Sequence, residues 1–329
     1  MLLGVAIAIL SCGRAVRLVE IPAAPSAEIG ELWQPPDVSE RDLFHGPGGD
    51  RLTPRDPSYA FVAEDTSGWS PGFDVRDSAG VAWSVKLGPE AQTEVVTSRI
   101  LWAIGFHQPP TYYVPRWRLS GARAGPQPPG RFRPELADRN VVGDWSWYEN
   151  PFVGTRPYGG LIVANLMLNS WDWKTSNNKI YQLREPVNGV GRWFVVRDVG
   201  ASLGKTTYPA ILKWFRLRGF GQGTRNNLAD FEEQGFITRV KEDGTIEFDY
   251  RGIYRDVIET VTLDDIRWTS ELLSRLSDDQ WRDAFRAGGY GPADTDRFVA
   301  KIKSKIAERL DVTAGRSVAA DGARSSPGP

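Results

Sequence analysis

Three polar residues at a fixed spacing are the strongest candidates for chemistry in this chain. Asp172, Lys174 and Asn177 stand in the order D-x-K-x-x-N. An apolar run, 161–168, precedes them, and a strand-like segment, 179–183, follows them. The carboxylate of Asp172 could accept the proton of a hydroxyl group, while Lys174 could neutralise a nearby anionic group. Because Asp and Asn also suit ordinary polar turns, a plain loop between two elements is the alternative.

A second turn carries another candidate carboxylate. The strand-like segment 193–196 leads directly into Asp198-Val-Gly200. Asn177 and Asp198 offer oxygen ligands from two separate turns, and Mg²⁺ prefers hard oxygen ligands. The two turns together therefore offer oxygen ligands for a magnesium ion.

The amino half contains a run of strands with a lysine at the end of the third. Lys86 stands in the segment Ser-Val-Lys-Leu, and Gly68 and Gly72 lie in the turn between the first two strands. Glycines in this turn would let backbone N–H groups approach phosphate groups. They do not spell the usual G-x-G-x-x-G, so a plain hairpin turn is the alternative. The strands are expected at 59–64, 73–76 and 81–86.

A helix is expected directly after this lysine. Pro89 is favoured at the start of a helix, and the segment Glu90–Ile104 ends at a glycine, which is a good C-terminal stop. Glu90 and Glu94 are four residues apart and share one face of this helix. One of them should pair with Lys86, and Glu94 is preferred because it lies a full turn deeper. The alternative is that these charged side chains face solvent.

Over residues 59–205 these motifs resemble the protein-kinase-like superfamily, as an atypical bacterial member. The resemblance implies an α+β, two-lobed fold with a small β-rich amino lobe that contains one helix, and a larger, mainly helical carboxyl lobe. It implies ATP and Mg²⁺ as cofactors. The residues that it assigns to the site are Asp172 as catalytic base, Lys174 as a phosphate contact, Lys86 with Glu94 as the nucleotide-binding ion pair, Gly68 and Gly72 in the phosphate loop, and Asn177 and Asp198 as metal ligands.

Three departures place the chain among the divergent members of that superfamily. The interval of eight residues between Lys86 and Glu94 is short for an ordinary protein kinase. Asn169-Ser-Trp precedes Asp172, where His-Arg would be expected a little upstream, and Val199 replaces the usual phenylalanine. Every charged role is nevertheless filled. This favours an active phosphotransferase whose acceptor is an unidentified hydroxyl group on a protein or a small molecule.

Three other functions remain open from the sequence. The chain could be a non-catalytic, exported kinase-like lipoprotein that binds a nucleotide or a partner. It could transfer a nucleotidyl group on the same fold, because that reaction also needs Mg²⁺ and a bound triphosphate. The 13 tryptophans would also permit an aromatic-lined cleft for carbohydrate, although nothing orders them into a sugar platform.

The amino terminus predicts export. Residues 1–10 are almost wholly apolar, and Cys12, the one cysteine of the chain, follows in a segment that resembles a bacterial lipoprotein processing site. We therefore expect attachment to a membrane through a lipidated Cys12, although the basic region that usually precedes such a core is missing. A cytoplasmic protein with an ordinary apolar start is the alternative. The net charge of −1 argues against a nucleic-acid partner.

The rest of the chain predicts the organisation around the site. A flexible basic insertion or a hairpin tip is expected at 121–133, a hinge between the lobes near 148–156, and a cluster of Lys213, Arg216 and Arg218 could bind an anionic acceptor or simply face solvent. The two histidines, His45 and His107, are expected in loops without a catalytic role. The predicted divisions are a leader at 1–12, an extended wrapping segment at 13–58, the amino lobe at 59–148, the carboxyl lobe at 149–312 and a disordered tail at 313–329.

Overall fold

The computed structural model describes residues 26–66, 70–207 and 223–313, with side chains described between residues 29 and 308. A β-rich part lies on the amino side and a mainly helical part on the carboxyl side. One cluster of buried hydrophobic residues fills the amino sheet, and a second, larger cluster runs through the carboxyl part. The α+β, two-lobed architecture predicted from the sequence is confirmed.

The described chain enters through a short helix rather than through extended chain alone. Helix α1 (Ser26–Leu32) lies in the segment expected to have little regular structure, and 3-10 turns follow at Gly46–Gly48 and Asp50–Leu52. The carboxylate of Glu31 in α1 accepts two hydrogen bonds of 3.0 Å from the guanidinium of Arg192. The described part of this segment contains more regular turns than the Pro- and Gly-rich sequence indicates.

A seven-stranded sheet forms the β-rich part. Its strands are β1 (Ser58–Asp65), β2 (Gly72–Arg76), β3 (Ala82–Leu87), β4 (Tyr112–Val114), β5 (Trp117–Ser120), β6 (Gly125–Gln127) and β7 (Gly130–Pro134). They are hydrogen-bonded in the order β4-β7-β3-β2-β1-β5-β6. Every neighbouring pair is antiparallel except β1 with β5. Buried residues alternate along β3, where Trp83 and Val85 face the core.

Helix α2 (Glu90–Ala103) lies between this sheet and the carboxyl part and is buried on nearly every side. Its buried residues include polar ones, and two of these bond to the chain that follows Asp198. The hydroxyl of Thr93 donates to Gly200 O at 2.6 Å, and the hydroxyls of Thr97 and Ser202 are 2.8 Å apart. Because α2 touches both parts, its position sets how Lys86 on β3 meets the carboxyl side.

The stretch 121–133 was predicted as a flexible basic insertion or a hairpin tip, and the structure has the hairpin: residues 121–124 join β5 to β6, and most of the rest is sheet rather than flexible insertion. Residues 125–127 form β6 and residues 130–134 form β7, which pairs with β3 in the middle of the sheet. Arg131 lies opposite Lys86 and Arg133 lies opposite Ser84 in that pairing. The many Gly and Pro residues of this stretch favoured a loop, but main-chain pairing with β3 overrides that local preference.

The carboxyl part begins with a strand that was expected in the amino lobe. Its three-stranded sheet contains β8 (Arg139–Asp144), β9 (Asn178–Val187) and β10 (Val190–Val196), in the order β10-β9-β8. The alternation of polar and aromatic residues over 143–148 predicts a strand there, whereas β8 ends at Asp144 and bonds to β9 rather than to the large sheet. The chain thus leaves the large sheet at Pro134, earlier than the predicted hinge near 148–156.

Six helices and a hairpin complete the carboxyl part of the described chain. They are α3 (Arg156–Met167), α4 (Leu228–Glu233), β11 (Ile237–Val240), β12 (Ile246–Phe248), α5 (Arg255–Ile258), α6 (Leu263–Leu273), α7 (Asp278–Ala287) and α8 (Pro292–Thr313). Thr262 and Ser277 make reciprocal capping boxes at the starts of α6 and α7. Gly160 lets α3 pack closely on α6, since a Cβ there would lie 2.2 Å from the ring of Trp268.

The two histidines have structural surroundings. His107 has the imidazole Nε2 2.7 Å from Gly30 O and its ring stacked at 4.7 Å on Trp193. Burial lowers the pKa of His107 to about 4, so the side chain is neutral near pH 7. His45 lies in a loop with its Nδ1 2.7 Å from Asp42 Oδ2. These contacts agree with loop positions and give neither histidine a place beside Asp172.

Several predictions fall outside the described residues. These are the apolar leader with Cys12, the turn residue Gly68, the basic cluster of Lys213, Arg216 and Arg218, and the tail beyond residue 313. Within the described part of the chain, no helix combines the length and the apolar character that crossing a membrane requires.

Candidate active site

Asp172 is held on a loop whose backbone is fixed on both sides. Asn169, with φ of 52°, ends the turn after α3, and the short polar side chain of asparagine tolerates this left-handed conformation. Its side-chain amide donates to Gly204 O at 2.7 Å, and its oxygen accepts from the buried Lys305 Nζ at 2.6 Å. Trp171 N donates to Ala201 O at 3.1 Å. The loop is therefore tied both to α8 and to the chain that follows Asp198.

The three residues of the D-x-K-x-x-N pattern are in mutual contact. Lys174 Nζ lies 2.9 Å from Asp172 Oδ2, and the side-chain amide of Asn177 donates to Asp172 O at 2.7 Å. Asp172 Oδ1 is buried and has no hydrogen-bond partner in the described structure. A buried carboxylate oxygen without a partner is costly, and a ligand hydroxyl would satisfy it. The amide oxygen of Asn177 is the atom of that side chain that could bind a metal ion.

The backbone joins this loop to Asp198. The N–H groups of Arg197 and Asp198 both donate to Asn177 O, at 2.9 and 3.2 Å. The Asp198 side chain is 38% exposed, so an ion in the cleft could reach it. Gly200 lets this turn approach α2, because a Cβ there would lie 2.8 Å from Glu90 Cβ. Val199 is fully buried and fills the apolar position expected for it.

Lys86 connects the two parts of the molecule. Its Nζ lies 2.9 Å from Glu94 Oε2, 3.3 Å from Glu90 Oε2 and 2.8 Å from Asp198 Oδ1. Burial would lower the pKa of Lys86, but the carboxylates of Glu94 and Asp198 outweigh burial and raise it. In the same way, burial would raise the pKa of Asp198, but Lys86 holds it well below its ordinary value. Lys86 is therefore a cation, and Asp198 is an anion, near pH 7.

Glu94 is the centre of a larger ionic cluster than the sequence indicates. It is fully buried and also pairs with Arg131, at 2.9 Å from the guanidinium Nε, and with Arg133. Burial would raise the pKa of Glu94, but Arg131, Lys86 and Arg133 outweigh it and lower the pKa. Burial lowers the pKa of Arg133 to about 10, so this arginine also stays charged near pH 7. One buried carboxylate thus forms ion pairs with three cations.

The sequence reasoning missed four residues of this site. Arg131 and Arg133 were placed in an insertion or hairpin tip, Glu90 was set aside in favour of Glu94, and Arg225 was placed in a substrate-binding region without a role at this site. The alternation of Arg131 and Arg133 at a spacing of two, typical of one face of a strand, was the available signal for the first pair. No local pattern distinguishes Arg225, which meets Glu90 over 135 residues of sequence separation.

Gly72 has a packing reason for being glycine. It begins β2 opposite Lys86, and a Cβ there would lie 2.6 Å from the backbone oxygen of Val85. The described residues show this close approach between β2 and β3, and they show no contact of Gly72 with the acidic side chains of the cleft. A role of Gly72 in holding phosphate stays a prediction.

The arrangement of these charged residues resembles that of a protein-kinase-like site. A lysine on the third strand pairs with a glutamate of the helix that follows, and that lysine meets an aspartate directly after a later strand, as the kinase arrangement requires. Among solved structures the chain is similar to the Helicobacter pylori proinflammatory kinase CtkA, with a TM-score of 0.46 and 10% identity, covering 79% of this chain and 97% of that chain. It is also similar to the Golgi casein kinase, with a TM-score of 0.35 and 10% identity, covering 86% of this chain and 76% of that chain.

These similarities are limited to the overall arrangement. Both TM-scores are below 0.5, so neither structure decides the function of this chain or the role of any residue. No protein-family model matches the sequence. No curated protein matches it either. The chemistry of the cleft therefore has to be judged from its own residues.

The cleft residues fit a nucleotide with Mg²⁺. Mg²⁺ is usually bound through one or two carboxylates together with phosphate oxygens. Here Asp198 offers a carboxylate, and Asn177 offers a side-chain amide oxygen from the adjoining turn. The ionised state of Asp198 suits a metal ligand, and the charged Lys86 beside it suits a phosphate group. The buried, unpartnered Asp172 Oδ1 is where an acceptor hydroxyl could bond.

Proposed function

We propose that the chain is an ATP- and Mg²⁺-dependent phosphotransferase of protein-kinase-like type that acts on a hydroxyl acceptor. The observation that carries the proposal is the contact of 2.8 Å between Lys86 and Asp198. It joins the Lys86–Glu94 pair of the amino part to the turn that also touches Asn177. Residues far apart in sequence thus meet at one cleft with the charges that phosphoryl transfer requires.

Each residue has a distinct part in the proposed reaction. ATP would supply the phosphoryl group, and Mg²⁺ would neutralise the charge of its phosphates. Lys86 would orient the phosphates, with Glu94 fixing its position. Asn177 and Asp198 would hold the metal. Asp172 would accept the proton of the acceptor hydroxyl through its unpartnered oxygen, and Lys174, 2.9 Å from the other oxygen of Asp172, would bring a positive charge to the phosphoryl group in flight.

One observation favours a non-catalytic domain as the second candidate. Lys86 contacts three carboxylates, those of Glu90, Glu94 and Asp198. A nucleotide must therefore compete with Asp198 and Glu90 for this lysine. A domain that used this ionic cluster only to hold its two parts together would have the same contacts and no need for ATP.

Labelled ATP separates the candidates. The protein is incubated with Mg²⁺ and ATP that carries the label on either the γ- or the α-phosphate, and label on the protein and released nucleotide are measured. A phosphotransferase moves the γ-label to the protein or to water and releases ADP. Transfer of the α-label would instead support nucleotidyl transfer. Absence of both transfers, together with no stabilisation of the fold by Mg²⁺ and ATP, would support the non-catalytic domain.

Asp172→Asn is the matched variant for this experiment. It keeps the size and the hydrogen bonds of the side chain but removes the base, so γ-transfer should fall by roughly 10²–10⁴-fold. Binding of Mg²⁺ and ATP should be kept, because Lys86, Asn177 and Asp198 are unchanged. Equal transfer by the variant and the wild type would rule out the assigned role of Asp172.

A further inference from the structure

A short segment after residue 222 lies against the chain that follows Asp198 and against Trp171. Residues 223–227, called here the strap, are tied by backbone hydrogen bonds to the chain that follows Asp198. Thr224 N donates to Lys205 O at 2.8 Å, and Asn226 N donates to Ser202 O at 3.1 Å. The indole N–H of Trp171 donates to Thr224 O at 2.8 Å. The strap is thus fixed directly beside the residue that precedes Asp172.

Arg225 of the strap points its guanidinium across the cleft. It forms an ion pair with Glu90 at the start of α2, and its Cζ lies 5.0 Å from the centre of the Trp171 ring. Its side chain is 18% exposed, so it is largely removed from water while it remains charged. The arginine therefore stands between the amino part at Glu90 and the catalytic loop at Trp171.

Glu90 brings Arg225 next to the groups proposed to handle phosphate. Glu90 Oε1 pairs with Arg225, and Glu90 Oε2 accepts from the hydroxyl of Ser70 at 3.0 Å and lies 3.3 Å from Lys86 Nζ. Lys86 in turn lies 2.8 Å from Asp198. Glu90 and Lys86 thus link Arg225 to Asp198, and the ring of Trp171, the residue before Asp172, lies beside its guanidinium.

We propose that Arg225 is a further phosphate-contacting residue of the transfer. When ATP is bound, Arg225 gives up its ion pair with Glu90 and binds the terminal phosphate. This inference rests on the proposed function. The planar guanidinium can donate two parallel hydrogen bonds to a phosphate, and arginines supplied from the same chain stabilise phosphoryl transfer in other enzymes. Without nucleotide, Glu90 prevents this half-buried cation from being left unpaired, which would be costly.

The covalent step balances without any covalent change at Arg225. A bond forms between the acceptor oxygen and the γ-phosphorus, the bond from that phosphorus to the leaving diphosphate oxygen breaks, and the acceptor proton goes to Asp172. Arg225 donates hydrogen bonds throughout and stabilises the charge on the phosphoryl oxygens. Glu90 keeps its bonds to Ser70 and Lys86 after the arginine has moved.

The test compares ATP with ADP in three variants of the full chain. Arg225→Met removes the cation, and Arg225→Lys keeps a cation without the planar fork. Gln92→Ala is the matched control, because it removes the 3.0 Å hydrogen bond from Asn226 of the strap to α2 and leaves the cleft charges in place. Thermal midpoints with Mg²⁺·ADP and with Mg²⁺·ATP are measured for each, together with γ-label transfer and its dependence on ATP concentration.

We expect Arg225→Met to bind Mg²⁺·ADP like the wild type but to lose the extra affinity for ATP, roughly tenfold or more for a charge-assisted contact. Its maximal transfer rate should fall by roughly 10²–10³-fold. Arg225→Lys should recover part of that rate, and Gln92→Ala should match the wild type. Unchanged or faster transfer by Arg225→Met, or an equal loss in Gln92→Ala, would overturn the inference while leaving the proposed function intact. No response of the wild type to either nucleotide would instead refute the proposed function and this inference with it.

Discussion

Replacing Glu94 with glutamine should destabilise the fold strongly. Glu94 is fully buried, and its carboxylate lies within 2.9 Å of both Lys86 Nζ and Arg131 Nε while it also pairs with Arg133. Lys86 would keep the carboxylates of Asp198 and Glu90, whereas Arg131 and Arg133 would keep hydrogen bonds to the backbone oxygens of Ser84 and Arg197. Removing one partner of a buried ion pair costs about 3–5 kcal/mol, because it leaves an uncompensated charge. We expect a loss of about that size in the free energy of unfolding.

The assay is urea unfolding followed by tryptophan fluorescence, with the midpoint and its slope compared between variants. Glu247→Gln is the control, because Glu247 also pairs with two cations, Arg239 and Lys241, but in an exposed hairpin. The Glu247→Gln substitution should leave the urea midpoint nearly unchanged, since exposed ion pairs contribute little to the free energy of unfolding. A change below about 1 kcal/mol for Glu94→Gln, similar to that of the control, would refute the view that this cluster holds the amino part in place.

Two further predictions concern Lys305 and Gly200. Burial lowers the pKa of Lys305 to about 7, whereas the same lysine in the unfolded chain keeps its ordinary value of 10.5. The unfolded state therefore binds more protons between these values, so this group makes stability rise with pH by up to about 1.4 kcal/mol per unit. Urea unfolding of Lys305→Met at pH 7, 8 and 9 should show a smaller rise than the wild type, and parallel rises would contradict the lowered pKa of this buried lysine. Gly200→Ala should push α2 away, because its Cβ would lie 2.8 Å from Glu90 Cβ, and should weaken stabilisation by Mg²⁺·ATP. Gly143→Ala, where a Cβ meets no atom within 4 Å, should respond to Mg²⁺·ATP like the wild type.

Local sequence patterns predict the elements of the fold that depend on residues close together in the sequence. The alternation in β1 to β3, the proline and glycine that bound α2, and the capping residues Thr262 and Ser277 each act within one element. The pair of Lys86 with Glu94 could be predicted for the same reason, because a strand, a tight turn and one helical turn separate them. These elements lie where the sequence indicates.

Contacts between distant segments could not be read in this way. The stretch that becomes β7 has the glycines and prolines of a loop, and only its pairing with β3 makes it a strand and buries Arg131 and Arg133. The alternation over 143–148 predicts a strand of the amino lobe, but β8 covers 139–144 and pairs with β9, because alternation does not indicate a strand's partner. Arg225 forms its ion pair with Glu90 across 135 residues of sequence, and no local periodicity predicts a contact of that kind.

The most direct test of the proposed function is the thermal midpoint with and without Mg²⁺ and ATP, for the wild type and Asp198→Asn. Asp138→Asn, which changes an exposed carboxylate paired with Arg139, is the control. A ligand that binds the folded state alone increases the free energy of unfolding, by about 2.7 kcal/mol at a ligand concentration of a hundred times Kd. The thermal midpoint rises as a result. We expect the thermal midpoint of the wild type and of the control to rise only when both Mg²⁺ and ATP are present. In Asp198→Asn this rise should be lost. No rise in the wild type at millimolar ATP, or an equal rise in Asp198→Asn, would contradict the proposed function.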